Sequence, residues 1–184
     1  MSNLPKTEIL SDEPNFICLS SINMPQADKW EKSIREGASY SQDRTSIRLE
    51  RAYCRVYQPT HWGSKEFDPL KRHLAMMVTK VITSIDRVDD RVFYIEDGAW
   101  GLIYADGESC GPHGHGKVPE YAGVYYLKTT PGCGSIYFPE AGIEVEPKSG
   151  DMVLFGSRVQ HGVLPNVVPN SERVCVAFNV RKEQ

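Results

Sequence analysis

The sequence predicts a mainly β domain with flanking helices, an α+β arrangement whose strands form a sandwich or barrel. Three observations carry this expectation. From Arg91 onward the chain breaks into short β-rich runs separated by Gly, Pro and Asp clusters. Ahead of those runs lie two segments whose apolar residues recur at helical spacing. The last run, Glu172–Val180, alternates between a wholly apolar face and a mixed one. Helices that precede a series of strands are expected to brace one outer face of the sheet they form.

Residues 1–14 are polar, contain two prolines and show no period, so a flexible N-terminus is expected, with one domain over 15–184. Phe16–Leu19 is a short apolar run and reads as a strand. Pro25 opens a helical pattern carrying Ala27, Trp30 and Ile34, and Gly37 ends it. Ser46–Tyr57 reads as extended, with Arg44, Arg48, Arg51 and Arg55 through and beside it. That series invites an anionic substrate. Asp43 and Glu50 sit among the arginines, however, and a solvated strand face accounts for the pattern equally well.

The clearest helix is 69–86. Asp68 suits its N-cap and Pro69 its first position. Leu70, Leu74, Met77, Val78, Val81, Ile82 and Ile85 make one stripe at the helical period. His73 lies beside this stripe and His61 in the loop before it; both are expected to be structural.

The β-rich runs are Val92–Ile95, Ala99–Ala105, Tyr121–Lys128, Ser135–Phe138, Ile143–Glu146, Met152–Phe155 and Glu172–Val180. Asp106-Gly107, Pro131-Gly132 and Ser149-Gly150-Asp151 punctuate them as turns. In the last run Val174, Val176, Phe178 and Val180 share one face, suited to packing on the 69–86 helix. Arg173, Cys175, Ala177 and Asn179 share the other. An unpaired buried guanidinium is costly, so an inward Arg173 calls for an anionic partner. Trp100, Asp106 and Glu108 are pocket candidates that turn or core roles would also explain.

A chain of 184 residues with 40% hydrophobic and 24% charged content can bury a real core. Its net charge of −3 gives no reason to expect general nucleic-acid or membrane affinity. No apolar run is long enough to cross a bilayer, and no signal-peptide core is seen. Cysteines at 18, 54, 110, 133 and 175 make neither a disulfide framework nor a C-x-x-C pair. Reduced thiols in a cytoplasmic protein are expected.

Three of the five histidines fall between Gly111 and Asn179. On a strand, residues i and i+2 project from one face, so His113 and His115 can grip one ion together. A neighbouring strand can add His161, giving a mononuclear metal site.

Taken in order, His113-x-His115, Gly123-Val-Tyr-Tyr126-Leu, Pro147-x-x-Gly150-Asp151, and His161-Gly-Val-x-Pro-Asn166 leading to Arg173 and Phe178-Asn179 resemble the 2-oxoglutarate/Fe(II)-dependent oxygenase superfamily. They are most similar to its small bacterial and phage-type members. The resemblance covers about Trp100 to Asn179. It implies a double-stranded β-helix, or jelly roll, whose metal-site core spans about 100–180. It also implies Fe(II) held by His113 and His161, and 2-oxoglutarate bound by Arg173 with help from Tyr126 and Cys175. The implied activity is a dioxygenase that hydroxylates a substrate, consuming O2 and releasing succinate and CO2.

His115 departs from the family pattern, because a carboxylate normally stands there. Imidazole suits iron, zinc, copper and nickel alike, so His115 can serve, and Glu120 is the nearest carboxylate alternative. Two rival readings remain open at this point. His113-x-His115 followed by Glu120 also matches the opening of a cupin metal motif, which suggests a 2-oxoglutarate-independent dioxygenase or an isomerase. A non-catalytic jelly-roll binding module, with zinc closed by Cys110, is the other.

Overall fold

The structure is a computed structural model and describes residues 6–12, 15–40, 52–57, 67–86, 92–95, 99–116 and 119–183. His61, Arg44, Arg48 and Arg51 lie outside the described residues, as does the first half of the extended Ser46–Tyr57 segment.

In chain order the strands and helices are β1 (Lys6–Ser11), β2 (Ile17–Ser21), α1 (Ala27–Gly37), β3 (Ser39–Tyr40), β4 (Ala52–Tyr53) and β5 (Arg55–Tyr57). After these come α2 (Asp68–Asp86), β6 (Phe93–Ile95), β7 (Trp100–Tyr104), β8 (Ser109–His113) and β9 (Tyr121–Thr129). The chain closes with β10 (Ile136–Phe138), β11 (Ile143–Val145), β12 (Asp151–Gly156), β13 (His161–Val163) and β14 (Arg173–Lys182).

These strands form a nine-stranded sheet, ordered β1-β2-β12-β9-β14-β7-β5-β3 with β6 also on β14, and a five-stranded sheet ordered β11-β10-β13-β8-β4. From β7 to β14 the chain passes back and forth between the two sheets, as in a jelly roll, with β10 and β11 the one consecutive pair in the same sheet. The apolar interior between them draws Leu102, Tyr104, Tyr126 and Cys175 from the large sheet and Cys110, Ile136 and Phe138 from the small one. A second core covers the outer face of the large sheet, where Trp30 and Ile34 of α1 and Leu70, Leu74, Val78 and Val81 of α2 meet Val174, Val176, Phe178 and Val180. Burying each such aliphatic side chain stabilises the fold by about 1.5–3 kcal/mol relative to exposure.

Local sequence explains the helix ends. The Phe67 carbonyl accepts the Lys71 N–H at 3.0 Å, so Phe67 occupies the cap and Asp68 and Pro69 the first two helical positions. The helix thus starts one residue earlier than Asp68 capping would imply. Gln26 precedes α1 in the left-handed region (φ 59°) without a side-chain cap, and the Ala38 N–H closes the other end on Ile34 at 2.8 Å. From α1, Arg35 reaches Glu31 and makes a two-pronged contact with Glu172, at 2.6 and 2.9 Å. That pair fastens the helix to the residue just before β14.

Residues 6–11, expected within a flexible terminus, instead form edge strand β1, paired with β2. Their alternation is too weak to read alone; backbone pairing with a buried neighbour supplies the order. Among the described residues no helix is long and apolar enough to cross a membrane. All five cysteines are buried and free.

Candidate metal centre

His113 ends β8 and His161 begins β13, and the two are directly opposed across that antiparallel pair. His115 lies two residues past the end of β8, outside the ladder. The expectation that His113 and His115 share one strand face is therefore corrected: the chain leaves the strand after His113 and curls back. Two contacts hold that curl. The His115 N–H donates to the Ser157 carbonyl at 2.8 Å, and the Ser157 hydroxyl donates to the Gly116 carbonyl at 3.2 Å. Gly114 permits the approach, since a Cβ there would stand 2.9 Å from Gln160 Nε2 and 3.3 Å from the Arg158 carbonyl.

One nitrogen from each of the three imidazoles lies within 4.8 Å of the others. The His113 Nδ1 is 3.0 Å from the Gly111 carbonyl and the His161 Nδ1 is 3.1 Å from the Val159 carbonyl. A carbonyl can only accept, so both Nδ1 atoms carry the proton and both Nε2 lone pairs are left for the site. His115 Nε2 stands 3.4 Å from His161 Nε2. Two imidazole nitrogens, each ~2.1 Å from one metal ion in tetrahedral or octahedral geometry, are separated by roughly 3 Å. The three residues therefore fit a divalent transition metal.

His161 is 5% exposed and packs on Phe155, with ring centroids 4.4 Å apart. Burial, then the nearby His113 and His115, push its pKa down to about 3, keeping the ring neutral as a ligand must be. Trp100 stacks on His115 at 6.2 Å with 23° between the planes, so this pocket candidate does reach the site. Asp106 and Glu108 do not: they accept the Asn170 and Ala105 N–H groups in a turn. His73 is on the far side of the molecule's outer core, its Nε2 bonded to the Asn23 carbonyl at 3.1 Å.

Glu120 is not brought to the imidazoles. Its carboxylate accepts the Lys182 N–H at 3.0 Å and lies exposed at the end of β14. Cys110 sits behind His113, with Sγ 3.6 Å from Nδ1 rather than beside the converging Nε2 atoms. Among the described residues the metal group thus contains neither a carboxylate nor a thiolate. Those two facts remove the structural support for the cupin ligand set and for a cysteine-closed zinc site.

Deeper in the same interior, Arg173 is 1% exposed. Its guanidinium lies 4.3 Å from the Tyr104 ring centroid, and Nη1 donates to the Gly134 carbonyl at 3.0 Å. The anionic partner expected for it is not found among the described residues, and its Nε and Nη2 are buried with nothing to donate to. Two buried N–H donors on a full positive charge, in the interior cluster with Tyr126 and Cys175, could hold a carboxylate. Burial raises the Tyr126 hydroxyl well above its usual range and the Cys175 thiol to about 12, so Arg173 faces neutral neighbours. Reasoning from sequence passed over Asn179 as a side chain of its own: its Oδ1 is buried without a partner, on the inward face of β14. The only signal for it was its place in the alternation with Arg173.

The two-sheet fold thus carries three convergent imidazoles that could hold a metal ion and a buried arginine with two unused donors. Residues 138–179 match the family model described as "Putative 2OG-Fe(II) oxygenase". No curated protein matches the chain in sequence. Among solved structures it is similar to a Pseudomonas putida prolyl-4-hydroxylase, with 19% identity, 90% of this chain and 92% of that one covered, and a TM-score of 0.61. It is also similar to the viral collagen prolyl hydroxylase of Paramecium Bursaria Chlorella virus-1, solved with 2-oxoglutarate (14% identity, 100% and 98% covered, TM-score 0.56). A third is HygX of Streptomyces hygroscopicus, solved with nickel, 2-oxoglutarate and hygromycin B (14% identity, 90% and 82% covered, TM-score 0.57). The chain shares the fold of these solved structures, and residues 138–179 match the model of one 2OG-Fe(II) oxygenase family.

Proposed function

We propose that this protein is an Fe(II)- and 2-oxoglutarate-dependent dioxygenase that hydroxylates its substrate from a single jelly-roll domain, one that takes in strand β1 as well as residues 15–184. His113, His115 and His161 hold the metal. Arg173 binds the far carboxylate of 2-oxoglutarate, with Tyr126 and Cys175 as the neighbouring walls. The carrying observation is the pair of buried guanidinium donors without acceptors, set in the same interior as the three imidazoles.

Iron and 2-oxoglutarate, when bound, supply the oxidising chemistry: O2 is consumed, 2-oxoglutarate becomes succinate and CO2, and oxygen enters the substrate. The chain's own residues do the rest. Carbonyls of Gly111 and Val159 fix the tautomers of His113 and His161, so that those two ligands need no reorganisation. Phe155 and Phe138 keep water from His161. Arg173, clamped by Gly134 and Tyr104, orients a diacid along the interior by a two-pronged contact that lysine could not make. A cytoplasmic home suits this chemistry and the five free thiols.

Anaerobic addition of Fe(II) and 2-oxoglutarate tests the proposal. A visible charge-transfer band that needs both components is expected in the wild type and lost in Arg173→Ala. An unchanged band in that variant, at the same 2-oxoglutarate concentration, would sink the assignment.

A further inference from the structure

We infer that Trp100 is a positioning residue for the metal centre, its indole face holding His115, the imidazole that stands where the family pattern has a carboxylate. This rests on the reading of His113, His115 and His161 as the ligands.

Strand β8 ends at His113, so the His115 backbone lies outside the ladder, between Gly114 and Gly116, and is held by its N–H on the Ser157 carbonyl. Its ring runs nearly parallel to two others, Trp100 at 6.2 Å and 23° and His161 at 5.1 Å and 7°. His161 belongs to the proposed ligand set itself, which leaves Trp100 as the outside ring against His115.

Trp100 is well placed to be a fixed wall. It lies on β7, where it is directly opposed to Ala177 of β14. The next residue, Gly101, has no room for a side chain, because Ile34 of α1 would meet its Cβ at 2.8 Å. The helix therefore seats the strand from behind. Chemistry also favours the pairing. A carboxylate ligand is steered by hydrogen-bond donors to its second oxygen, whereas an imidazole offers a flat apolar face that an indole can cover. The exchange of carboxylate for histidine and the aromatic wall belong together.

Co(II) titration of the full-length protein, followed by visible absorbance and calorimetry, tests this. Expected is a loss of about tenfold in Co(II) affinity for Trp100→Ala, within the range for supporting residues around metal ligands. Trp100→Phe should stay within about twofold, since a phenyl ring still covers the face. In a His115→Ala background, Trp100→Ala should cause no further loss, because a wall with nothing to hold has no effect. Equal losses from Trp100→Ala with and without His115 would overturn the inference, as would no loss at all. If His115→Ala alone leaves Co(II) affinity unchanged while His113→Ala abolishes it, the ligand reading itself is at fault. Should Trp100→Ala fail to fold, fluorescence decides: Co(II) should quench the wild type strongly and Trp100→Phe much less, and equal quenching would reject the contact.

Discussion

His113 and His161 face one another across the β8–β13 pair with ring centroids 4.4 Å apart, each tied by Nδ1 to a carbonyl two residues earlier in its own chain. The same local device, used twice, aims two lone pairs at one point. That makes the site a property of backbone geometry as much as of side-chain choice.

The burial of His161 gives a pH signature. Its folded pKa, about 3, lies below the ordinary value of 6.5, so the unfolded chain binds the proton more readily between those pH values. Stability of the metal-free protein is intact above pH ~6.5 and falls as pH drops below it, by up to about 1.4 kcal/mol per pH unit from this group. Urea midpoints measured from pH 7 to pH 4 should fall more steeply for the wild type than for His161→Gln. Parallel slopes would contradict this.

Arg173 should show function opposing stability. Arg173→Met removes a buried charge that makes one protein hydrogen bond, so the ligand-free fold should be unchanged or up to ~2 kcal/mol more stable. Affinity for 2-oxoglutarate should fall by about 100-fold or more, from loss of two charge-assisted hydrogen bonds. Thermal unfolding with and without Ni(II) plus 2-oxoglutarate reads both effects. A destabilised variant that still binds the diacid would refute the pairing.

In the proposed ligand set, three neutral imidazoles would leave a divalent metal's charge uncompensated and so couple it to a dianion. Ni(II) affinity should rise in the presence of 2-oxoglutarate by a factor of roughly 5–150, the usual span for coupled sites. Calorimetric titrations of Ni(II) at zero and saturating 2-oxoglutarate measure the factor, and independent binding would count against the arrangement.

The close approach of β9 and β14 should be intolerant of added volume. A Cβ at Gly123 would stand 2.5 Å from the Phe178 ring and 3.3 Å from Leu154. Gly123→Ala should cost about 1–3 kcal/mol by overpacking the outer core. Its urea midpoint would show this directly, and a wild-type value would mean that Phe178 has room to move.

Much of the site was legible in the sequence because period-2 alternation is a strong signal in a buried strand. The alternation of β14 alone put Val174, Val176 and Phe178 in the outer core and Arg173 and Cys175 inside. The grouping of His113, His115 and His161 was legible from their order, but not the means of support. Nothing local tells that the chain turns off β8 after His113, or that Trp100, fifteen residues earlier, covers His115. Glu120 misled for the same reason: five positions from His115 in sequence, it is drawn to the Lys182 N–H, 62 positions away, where β9 pairs with β14. Strand β1 escaped notice because its order comes from its neighbour rather than from its own pattern.

The Arg35–Glu172 contact carries one more implication. Glu172, just before β14, is covalently next to Arg173, so a half-buried ion pair with α1 holds the backbone from which the interior cation projects. Breaking that pair by Glu172→Gln would reach the proposed acid-binding cation from outside the barrel, through one peptide unit and without touching the cavity.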